Sequence, residues 1–322
     1  MKYKVSIIIP AYNVAQYIER CLDSVVNQTV TEGIECIIID DCGPDNSLEL
    51  AEQYVQRYQG NIKFHILRHE RNKGLSGARN TGIAHAAGRY LYFLDSDDEI
   101  TPNCMELMLG LIEKYGEVDL VQGSFFENQE EFRTPSPYEF PEHTCDRKRI
   151  KAFLLQFKGD IVGAQSRLIR RDFLYEHNLM FKEGIIHEDN HWTFFLSKHV
   201  KDMVFCPVRT YFHRYNPTSI TVHKNINKET HAFSIMIKDF SANIDDFMAG
   251  YQKELILNTL IFALNNHYYA DDNHRKLLID TFSKQNTFIE KFLLRSYISI
   301  NNNWLKTKVL HLLIRIYKLK DL

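Results

Sequence analysis

The chain of 322 residues carries 39 Lys and Arg against 41 Asp and Glu, a net charge of −2, and 44% of its residues are hydrophobic. This composition is typical of a folded protein of about two domains, and it excludes a disordered or collagen-like chain. The even charge balance also argues against a nucleic-acid-binding protein. Residues 251–322 hold 11 basic and 6 acidic residues, a net +5, which leaves −7 for residues 1–250.

The cysteines and the N-terminus give no sign of a secreted protein. The six cysteines form no Cys-x-x-Cys pair, so a zinc site and a disulfide scaffold are both disfavoured, and a reducing, cytoplasmic environment is expected. The apolar run Val5–Ile9 stops at Pro10, which is too short for a signal peptide. No run approaches the roughly 18 apolar residues that a membrane helix requires.

Short apolar runs alternate with helical patterns over the first 125 residues, which is typical of βαβ units around a mostly parallel, buried sheet. The predicted strands are Val5–Pro10, Cys36–Asp40, Lys63–Arg68, Arg89–Asp95 and Val118–Phe126. A helix is predicted over Ala15–Asn27. Asn46 and Glu49 predict a capping box for the next helix, and Thr101 before Pro102 predicts the N-cap of another.

The second half of the chain is less regular before it becomes helical. Between Glu127 and Glu183 the pattern loosens around a helix predicted over Arg147–Phe157, and such an insertion is where specificity often resides. From Asn227 onward the periodicity predicts three or four helices. We therefore expect a catalytic domain over residues 1–225 and a helical region over residues 226–322.

Polar side chains follow three of the predicted strands, at the sheet edge where ligands of parallel α/β proteins bind. The first strand leads into Pro10, Ala11 and Tyr12 without a glycine, which argues against a dinucleotide cofactor. The second ends at Asp40 and Asp41, whose carboxylates suit a base N–H or ribose hydroxyls; turn formation is the alternative.

The fourth strand leads into the sequence Asp-Ser-Asp-Asp. Asp95 and Asp97 project to one side of an extended chain, and paired carboxylates of this kind suit Mg²⁺ or Mn²⁺ on a diphosphate. The alternative is an acidic loop before a helix. Between the strands, Gly74 and Gly77 permit close backbone approach, and Arg79 offers its charge to a phosphate or, alternatively, to Asp95 or Asp97.

These segments together resemble the motifs of glycosyltransferase family 2, inverting enzymes of GT-A fold that use nucleotide-diphosphate sugars. The matching segments are VSIIIPAYN, IIIDDCGPDNS, NKGLSGARNTGI, YLYFLDSDDEI and HEDNHW, in order across residues 5–190. The resemblance implies a GT-A-like, mostly parallel sheet flanked by helices. It also implies transfer of a hexosyl or N-acetylhexosaminyl group, with UDP-sugar as the favoured donor, in cell-surface polysaccharide synthesis.

The resemblance also assigns residues to roles. The nucleotide-sugar-binding residues would be Pro10, Ala11, Tyr12, Asp40, Asp41, Gly77, Arg79, Asn80, Asp95, Ser96, His213 and Arg214. Asp97, together with Asp95, would bind Mn²⁺ or Mg²⁺. Asp189 would be the base that activates the acceptor hydroxyl, with Glu188 beside it; the alternative is that both are acidic residues in the first turn of a helix.

Two histidines flank that acidic pair at a spacing of four residues. His187 and His191 could bind a transition metal on one helix face, but ordinary surface or core histidines are the preferred interpretation.

The segment 303–320 predicts a basic amphipathic helix. Its apolar arc comprises Leu305, Val309, Leu312, Ile316 and Leu319, with Lys306, Lys308, Arg315, Lys318 and Lys320 around it. Such a helix can bind an anionic membrane surface, dock on its own core, or form a homodimer. The membrane alternative would place the protein at the inner face of a bacterial envelope, acting on a lipid-linked saccharide.

Two other functions remain open from the sequence. A nucleotidyltransferase acting on sugar phosphates also uses acidic metal ligands, although it normally has a glycine- and Lys/Arg-rich loop after the first strand, and none follows Pro10. A non-catalytic nucleotide-sugar-binding component of an assembly complex is the second.

Overall fold

The computed structural model describes residues 2–127, 136, 138–156, 162–217, 219, 224–319 and 321. The chain forms two compact units. The first comprises Met1–Leu154, Lys158–Gly184 and Glu188–Ser219, and the second comprises Leu155–Phe157, Ile185–His187 and Ile220–Leu322. The assignment of catalysis to residues 1–225 stays a prediction.

The first unit is an α/β structure. Its described strands are β1 Tyr3–Ala11, β2 Ile34–Asp40, β3 Lys63–Arg68, β4 Gly88–Phe93, β5 Glu99–Ile100, β6 Leu120–Gln122, β7 Phe125–Phe126, β8 His143–Thr144, β9 Arg167–Arg170, β10 Met203–Phe205 and β11 Tyr211–Phe212. Its described helices are α1 Ile18–Val26, α2 Ser47–Arg57, α3 Gly74–His85, α4 Cys104–Tyr115, α5 Arg147–Leu154, α6 Arg171–Glu176 and α7 Glu188–Leu196.

The main sheet has the strand order β3-β2-β1-β4-β9-β6-β10-β8 among the described residues. Strands β1 to β4 are parallel, whereas β9 runs antiparallel between β4 and β6. Ala11 at the end of β1 pairs with Asp40 at the end of β2, so the residues after both strands emerge at the same edge. The predicted mostly parallel sheet flanked by helices is confirmed.

The central strands read as continuous apolar runs because both faces of the sheet are covered. Ile7 and Ile9 of β1 lie in one core cluster, and Ile8 between them lies in the other. Successive side chains of a strand point to opposite faces, so each run supplies both layers. This double burial fixes the strand positions that determine where the polar residues emerge.

A small sheet of order β5-β11-β7 lies beyond the fourth strand, and it explains one incorrect prediction. The strand predicted over Val118–Phe126 is two strands, β6 in the main sheet and β7 in the small one. They separate at Gly123, whose N–H donates to the Ser166 carbonyl at 2.7 Å. A Cβ on Gly123 would lie 2.8 Å from that carbonyl oxygen, which leaves no room for a side chain.

Helix starts differ from their predicted positions. Helix α1 begins at Ile18 rather than Ala15. Asn46 is the N-cap of α2, but its side chain makes no capping hydrogen bond, so the predicted capping box is wrong. Asn103 rather than Thr101 is the N-cap of α4; the Thr101 hydroxyl instead donates to the Asn103 side chain.

The second unit is helical, as predicted, but has five described helices rather than three or four. They are α8 Ile226–Ala242, α9 Ala249–Asn265, α10 Asp272–Ser283, α11 Phe288–Ser299 and α12 Asn303–Leu319. The helix predicted to reach Phe157 ends at Leu154, and Phe157 itself lies outside the described residues. No helix in the described ranges is long and apolar enough to span a bilayer.

Two glycines, one inside α4 and one at its end, should respond oppositely to substitution by alanine. Gly110 lies in the exposed helix interior with no neighbour within 4 Å, so Gly110→Ala should stabilise the protein by about 0.5–1 kcal/mol. Gly116 ends the helix at φ +88°, which an L-residue rarely adopts, so Gly116→Ala should destabilise it by about 1–3 kcal/mol. Urea unfolding of both variants measures the difference, and stability changes of the same sign would contradict the prediction.

Candidate active site

Arg79 is the centre of a buried ionic cluster. It lies in α3 with no exposed surface, and its Nη2 donates to Asp95 at 2.9 Å. Its Nη1 donates to Glu188 at 2.8 Å and to Asp189 at 2.7 Å. One guanidinium therefore joins the loop after β4 to the start of α7. The structure favours the alternative in which Arg79 pairs with a carboxylate, because its terminal nitrogens are already engaged.

Two carboxylates of this cluster, Glu188 and Asp189, have a raised pKa. Burial, followed by the charge of Asp189, raises the pKa of Glu188 to about 7. Burial also raises the pKa of Asp189, although Arg79 opposes the shift. A carboxylate whose pKa is raised toward neutrality is a better proton acceptor, which is what a general base requires.

The loop after β4 is held by its last aspartate. Asp98 is buried and accepts hydrogen bonds from the Tyr211 hydroxyl at 2.7 Å and from the Arg214 backbone N–H at 2.8 Å. The Tyr211 hydroxyl in turn accepts from the Asp95 N–H at 3.2 Å. Ser96 is also buried. The small sheet thereby fixes the backbone that presents Asp95 and Asp97.

Asp97 fits the predicted role of metal ligand. It is half-buried, and burial followed by the charge of Asp95 raises its pKa. Its Oδ2 accepts from the Asn216 amide at 2.8 Å, and Asn216 accepts from the Tyr17 hydroxyl at 3.3 Å. Mg²⁺ is commonly bound through one or two carboxylates together with substrate phosphates, so this donor set suits such an ion.

The two aspartates after β2 have different environments. Asp41 is buried and accepts from the N–H groups of Lys73 and Gly74 at 2.8 Å each, and its Oδ1 lies 2.6 Å from His69 Nδ1. It therefore satisfies the backbone at the start of α3. Asp40 is half-buried, and its Oδ1 accepts from the Gly43 N–H at 3.3 Å. Of the two, Asp40 is the one that the structure leaves accessible to a ligand.

The end of β1 presents one exposed ring. Pro10 and Ala11 are buried strand residues paired with β2, and Ala11 belongs to the core, so neither fits the predicted wall of a base-binding site through its side chain. Tyr12 follows the strand and keeps 48% of its surface exposed. Tyr12 is the aromatic ring available for stacking on a base.

Two residues of α3 have structural contacts, and their predicted contact with the nucleotide-sugar stays a prediction. Gly77 is buried, and a Cβ there would meet the side chain of Lys73 at 2.5 Å, so its lack of a side chain serves helix packing. The Asn80 amide donates to the Phe181 carbonyl and accepts from the Phe181 N–H, both at 2.9 Å. Asn80 thereby fixes the segment that precedes α7.

His213 and Arg214 directly follow β11. Arg214 pairs through Nε with Glu99, and its guanidinium lies 4.5 Å from the centre of the Phe212 ring. His213 is 46% exposed in its side chain, and its Nδ1 lies 3.6 Å from Glu127. Their predicted contact with a diphosphate stays a prediction, and the accessible imidazole suits it better than the paired guanidinium.

The histidines beside the acidic pair have separate surroundings. His187 Nε2 lies 2.8 Å from Glu229 Oε2. His191 is buried, with its ring 4.9 Å from Phe195. These contacts agree with the preferred interpretation as structural histidines.

Sequence reasoning missed several residues of the site. Arg167 in β9 is fully buried, donates to Gln122 and Thr193, and opposes the rise in the pKa of Asp189. His69 directly follows β3. The search for polar residues at strand ends, which selected Asp40, could therefore have found it. Nothing in the spacing of Arg167 distinguishes it from the neighbouring surface arginines.

Glu188→Gln should change how stability depends on pH. Because the folded-state pKa of Glu188 is raised to about 7, the folded protein retains a proton that the unfolded chain releases above about pH 4.5. The stability that this proton contributes is lost as pH rises toward 7, at no more than about 1.4 kcal/mol per pH unit. The free energy of unfolding of the wild type, minus that of the variant, should therefore fall as pH rises from 5 to 8, as measured by urea unfolding. Exposed Glu113→Gln is the control, and a difference independent of pH would contradict the assignment.

Sequence comparisons identify relatives of this chain. The family model described as Glycosyl transferase family 2 matches residues 6–177. The "Uncharacterized glycosyltransferase EpsJ" of Bacillus subtilis (strain 168) is 32% identical over 221 residues, which cover 67% of this chain and 62% of EpsJ. The "Minor teichoic acid biosynthesis protein GgaB" of the same organism is 28% identical over 262 residues, which cover 79% of this chain and 28% of GgaB. The chain thus spans less than two thirds of either relative.

Solved structures share the fold. S. aureus TarS 1–349 in complex with UDP-GlcNAc has a TM-score of 0.66 at 18% identity, and the match covers 99% of this chain and 88% of the TarS chain. The mannosyltransferase PcManGT from Pyrobaculum calidifontis, in complex with GDP-Man and Mn²⁺, has a TM-score of 0.54 at 13% identity, covering 100% and 87%. With the family match over more than half of its length, the chain belongs to glycosyl transferase family 2 and has a GT-A-like fold.

Proposed function

We propose that the protein transfers a sugar from a nucleotide-diphosphate sugar, with UDP-sugar as the favoured donor, to a saccharide acceptor with inversion at the anomeric carbon. The observation that carries this proposal is the Arg79 guanidinium, which holds Asp95 and the Glu188–Asp189 pair in one cluster. A donor-binding loop and a candidate base would thereby be close enough for the diphosphate to leave, and the acceptor hydroxyl to attack, on opposite faces of the same anomeric carbon.

The donor side rests on the loop after β4. Asp95 and Asp97 would hold Mg²⁺ or Mn²⁺, which when bound neutralises the charge of the departing diphosphate. Tyr12 and Asp40 would bind the base and ribose. TarS in complex with UDP-GlcNAc supports a UDP-sugar, and PcManGT with GDP-Man and Mn²⁺ supports the metal.

The acceptor side rests on Asp189. Its side chain is partly exposed and its pKa is raised by burial, so it can accept the proton of an attacking hydroxyl. Glu188 is less exposed and would orient Arg79 rather than exchange protons with the acceptor. The likeness to GgaB, a teichoic acid biosynthesis protein, supports an acceptor of the cell-surface polysaccharide class, and the six free cysteines support reaction in a reducing compartment.

Two aspartate substitutions separate the proposed roles. Asp97→Ala should abolish metal-dependent UDP binding and transfer, because it removes a ligand. Asp189→Asn should retain UDP binding but lower transfer by about 10²–10⁴-fold, because the amide cannot accept the proton. Calorimetric titration of UDP with Mn²⁺ and product analysis after incubation with a panel of UDP-sugars measure both effects.

The exposed Asp280→Asn of α10 is the matched control and should keep full activity. Thermal unfolding of each variant checks that the fold is retained. Full transfer by either Asp97→Ala or Asp189→Asn would refute its assigned role. Release of pyrophosphate instead of UDP would identify a nucleotidyltransferase, and release of neither would favour a binding component.

The aspartates after β2 provide a second, paired prediction. Asp40→Asn should weaken UDP binding about tenfold with little change in stability, since it removes one charged acceptor from an accessible position. Asp41→Asn should instead lower the free energy of unfolding by about 1–3 kcal/mol, because the N–H groups at the start of α3 lose a buried, charged acceptor. Titration with UDP and urea unfolding of both variants distinguish the roles. Weaker UDP binding by Asp41→Asn together with lower stability of Asp40→Asn would contradict the assignment.

A further inference from the structure

Helix α12 presents an exposed stripe in which leucines alternate with basic residues. Leu305, Lys308, Leu312, Arg315 and Leu319 follow one another at intervals of three and four residues, so they lie on one face of the helix. All five are exposed, and the leucines keep 44%, 49% and 57% of their surface in chain order. We call this set the leucine–cation stripe.

The helix docks on its own unit through a different face. Leu313 and Tyr317 are fully buried, and the Tyr317 hydroxyl donates to the Asn286 side chain at 2.8 Å. Of the apolar arc predicted from the sequence, Val309 and Ile316 are half-buried. The stripe is therefore not needed to hold α12 in place, and its leucines are apolar surface in excess of what folding requires.

The surroundings of the stripe are strongly basic. Residues 284–319 contain seven Lys and Arg residues and one acidic residue, Glu290. Glu290 is fully buried, and its carboxylate lies 3.2 Å from Lys253 Nζ. Helix α12 itself contains no acidic residue. Lys318 pairs with Glu254 of α9 at 3.0 Å, and the segment itself has no exposed acidic side chain to offset its other cations.

Large aromatic side chains are exposed in the same segment. Trp304 at the start of α12 is 70% exposed, and Phe288 and Phe292 of α11 are 85% and 63% exposed. Trp is enriched where membrane hydrocarbon meets water, and Trp and Phe are common on the apolar face of helices that lie in that interface. Lys and Arg can keep their charged groups at the lipid phosphates while their aliphatic stems lie along apolar surface.

We propose that the leucine–cation stripe binds the surface of an anionic lipid bilayer, with α12 lying in the interface. The leucines would enter the boundary of the hydrocarbon, and Lys308 and Arg315 would contact lipid phosphates. A second copy of the chain fits this face less well, because pairing two stripes would bring like charges together. The four basic residues within the 17-residue helix favour lying on the bilayer over crossing it.

Flotation of the full chain with vesicles tests the proposal. Vesicles of phosphatidylcholine with 40% phosphatidylglycerol should bring the wild-type protein to the top of the gradient, and pure phosphatidylcholine vesicles should not. Lys308→Glu/Arg315→Glu should weaken binding at least about tenfold, since each basic residue near such a surface contributes about 1 kcal/mol. Leu305→Ser/Leu312→Ser/Leu319→Ser should also weaken it, because the inserted apolar surface is lost.

Matched substitutions outside the stripe control for general loss of charge or apolar surface. Lys238→Glu/Lys276→Glu and Leu277→Ser change exposed residues of α8 and α10 and should bind like wild type. Equal flotation of wild type and both stripe variants, or no flotation of wild type, would overturn the proposal. A wild-type dimer in solution that Leu305→Ser/Leu312→Ser/Leu319→Ser converts to a monomer would overturn it in favour of a second copy. None of these readouts depends on sugar transfer.

Discussion

The candidate active site depends on one buried positive charge. Arg79 has no exposed surface, and a guanidinium removed from water is stable only when its hydrogen bonds are satisfied by charged partners. Here three carboxylates accept hydrogen bonds from its two terminal nitrogens, so negative groups outnumber the positive one, and burial raises the pKa of Glu188 to about 7. Burial and the charge of Asp189 thus raise the pKa of Glu188, although pairing with Arg79 opposes that shift.

The loop after β4 divides its aspartates between two tasks. Asp98 accepts hydrogen bonds from the Tyr211 hydroxyl and the Arg214 N–H, whereas Asp95 and Asp97 remain partly exposed. The hydrogen bonds of Asp98 fix the loop, so Asp95 and Asp97 are held in position before any ligand binds, although their carboxylates repel each other. Such preorganisation lowers the reorganisation that binding a diphosphate would otherwise require. All of these residues belong to the first unit.

The sequence predicts the parts of the site that follow strand ends. A strand buried on both faces must be apolar, so polar residues directly after it stand out in the sequence. Asp40, Asp95 and Asp97 are identified in this way. Partners cannot be assigned from the sequence. Arg79 is predicted to contact the donor, with a carboxylate partner as the alternative, and only three-dimensional contact shows that Glu188 and Asp189 join Asp95 on it. The split of the strand predicted over Val118–Phe126 likewise depends on a neighbouring chain segment.

The sequence separation within the Arg79 cluster bears on how the protein is made. Asp95 is 16 residues from Arg79, but Asp189 is 110 residues away. While the ribosome is still synthesising that interval, the emerging N-terminal strands can pair, yet Arg79 has only one of its three acidic partners. Closing so long a loop is slow relative to local structure formation. A chain truncated before Glu188 would therefore keep the pair of Arg79 with Asp95 but would leave Nη1 of Arg79 without its two carboxylate acceptors.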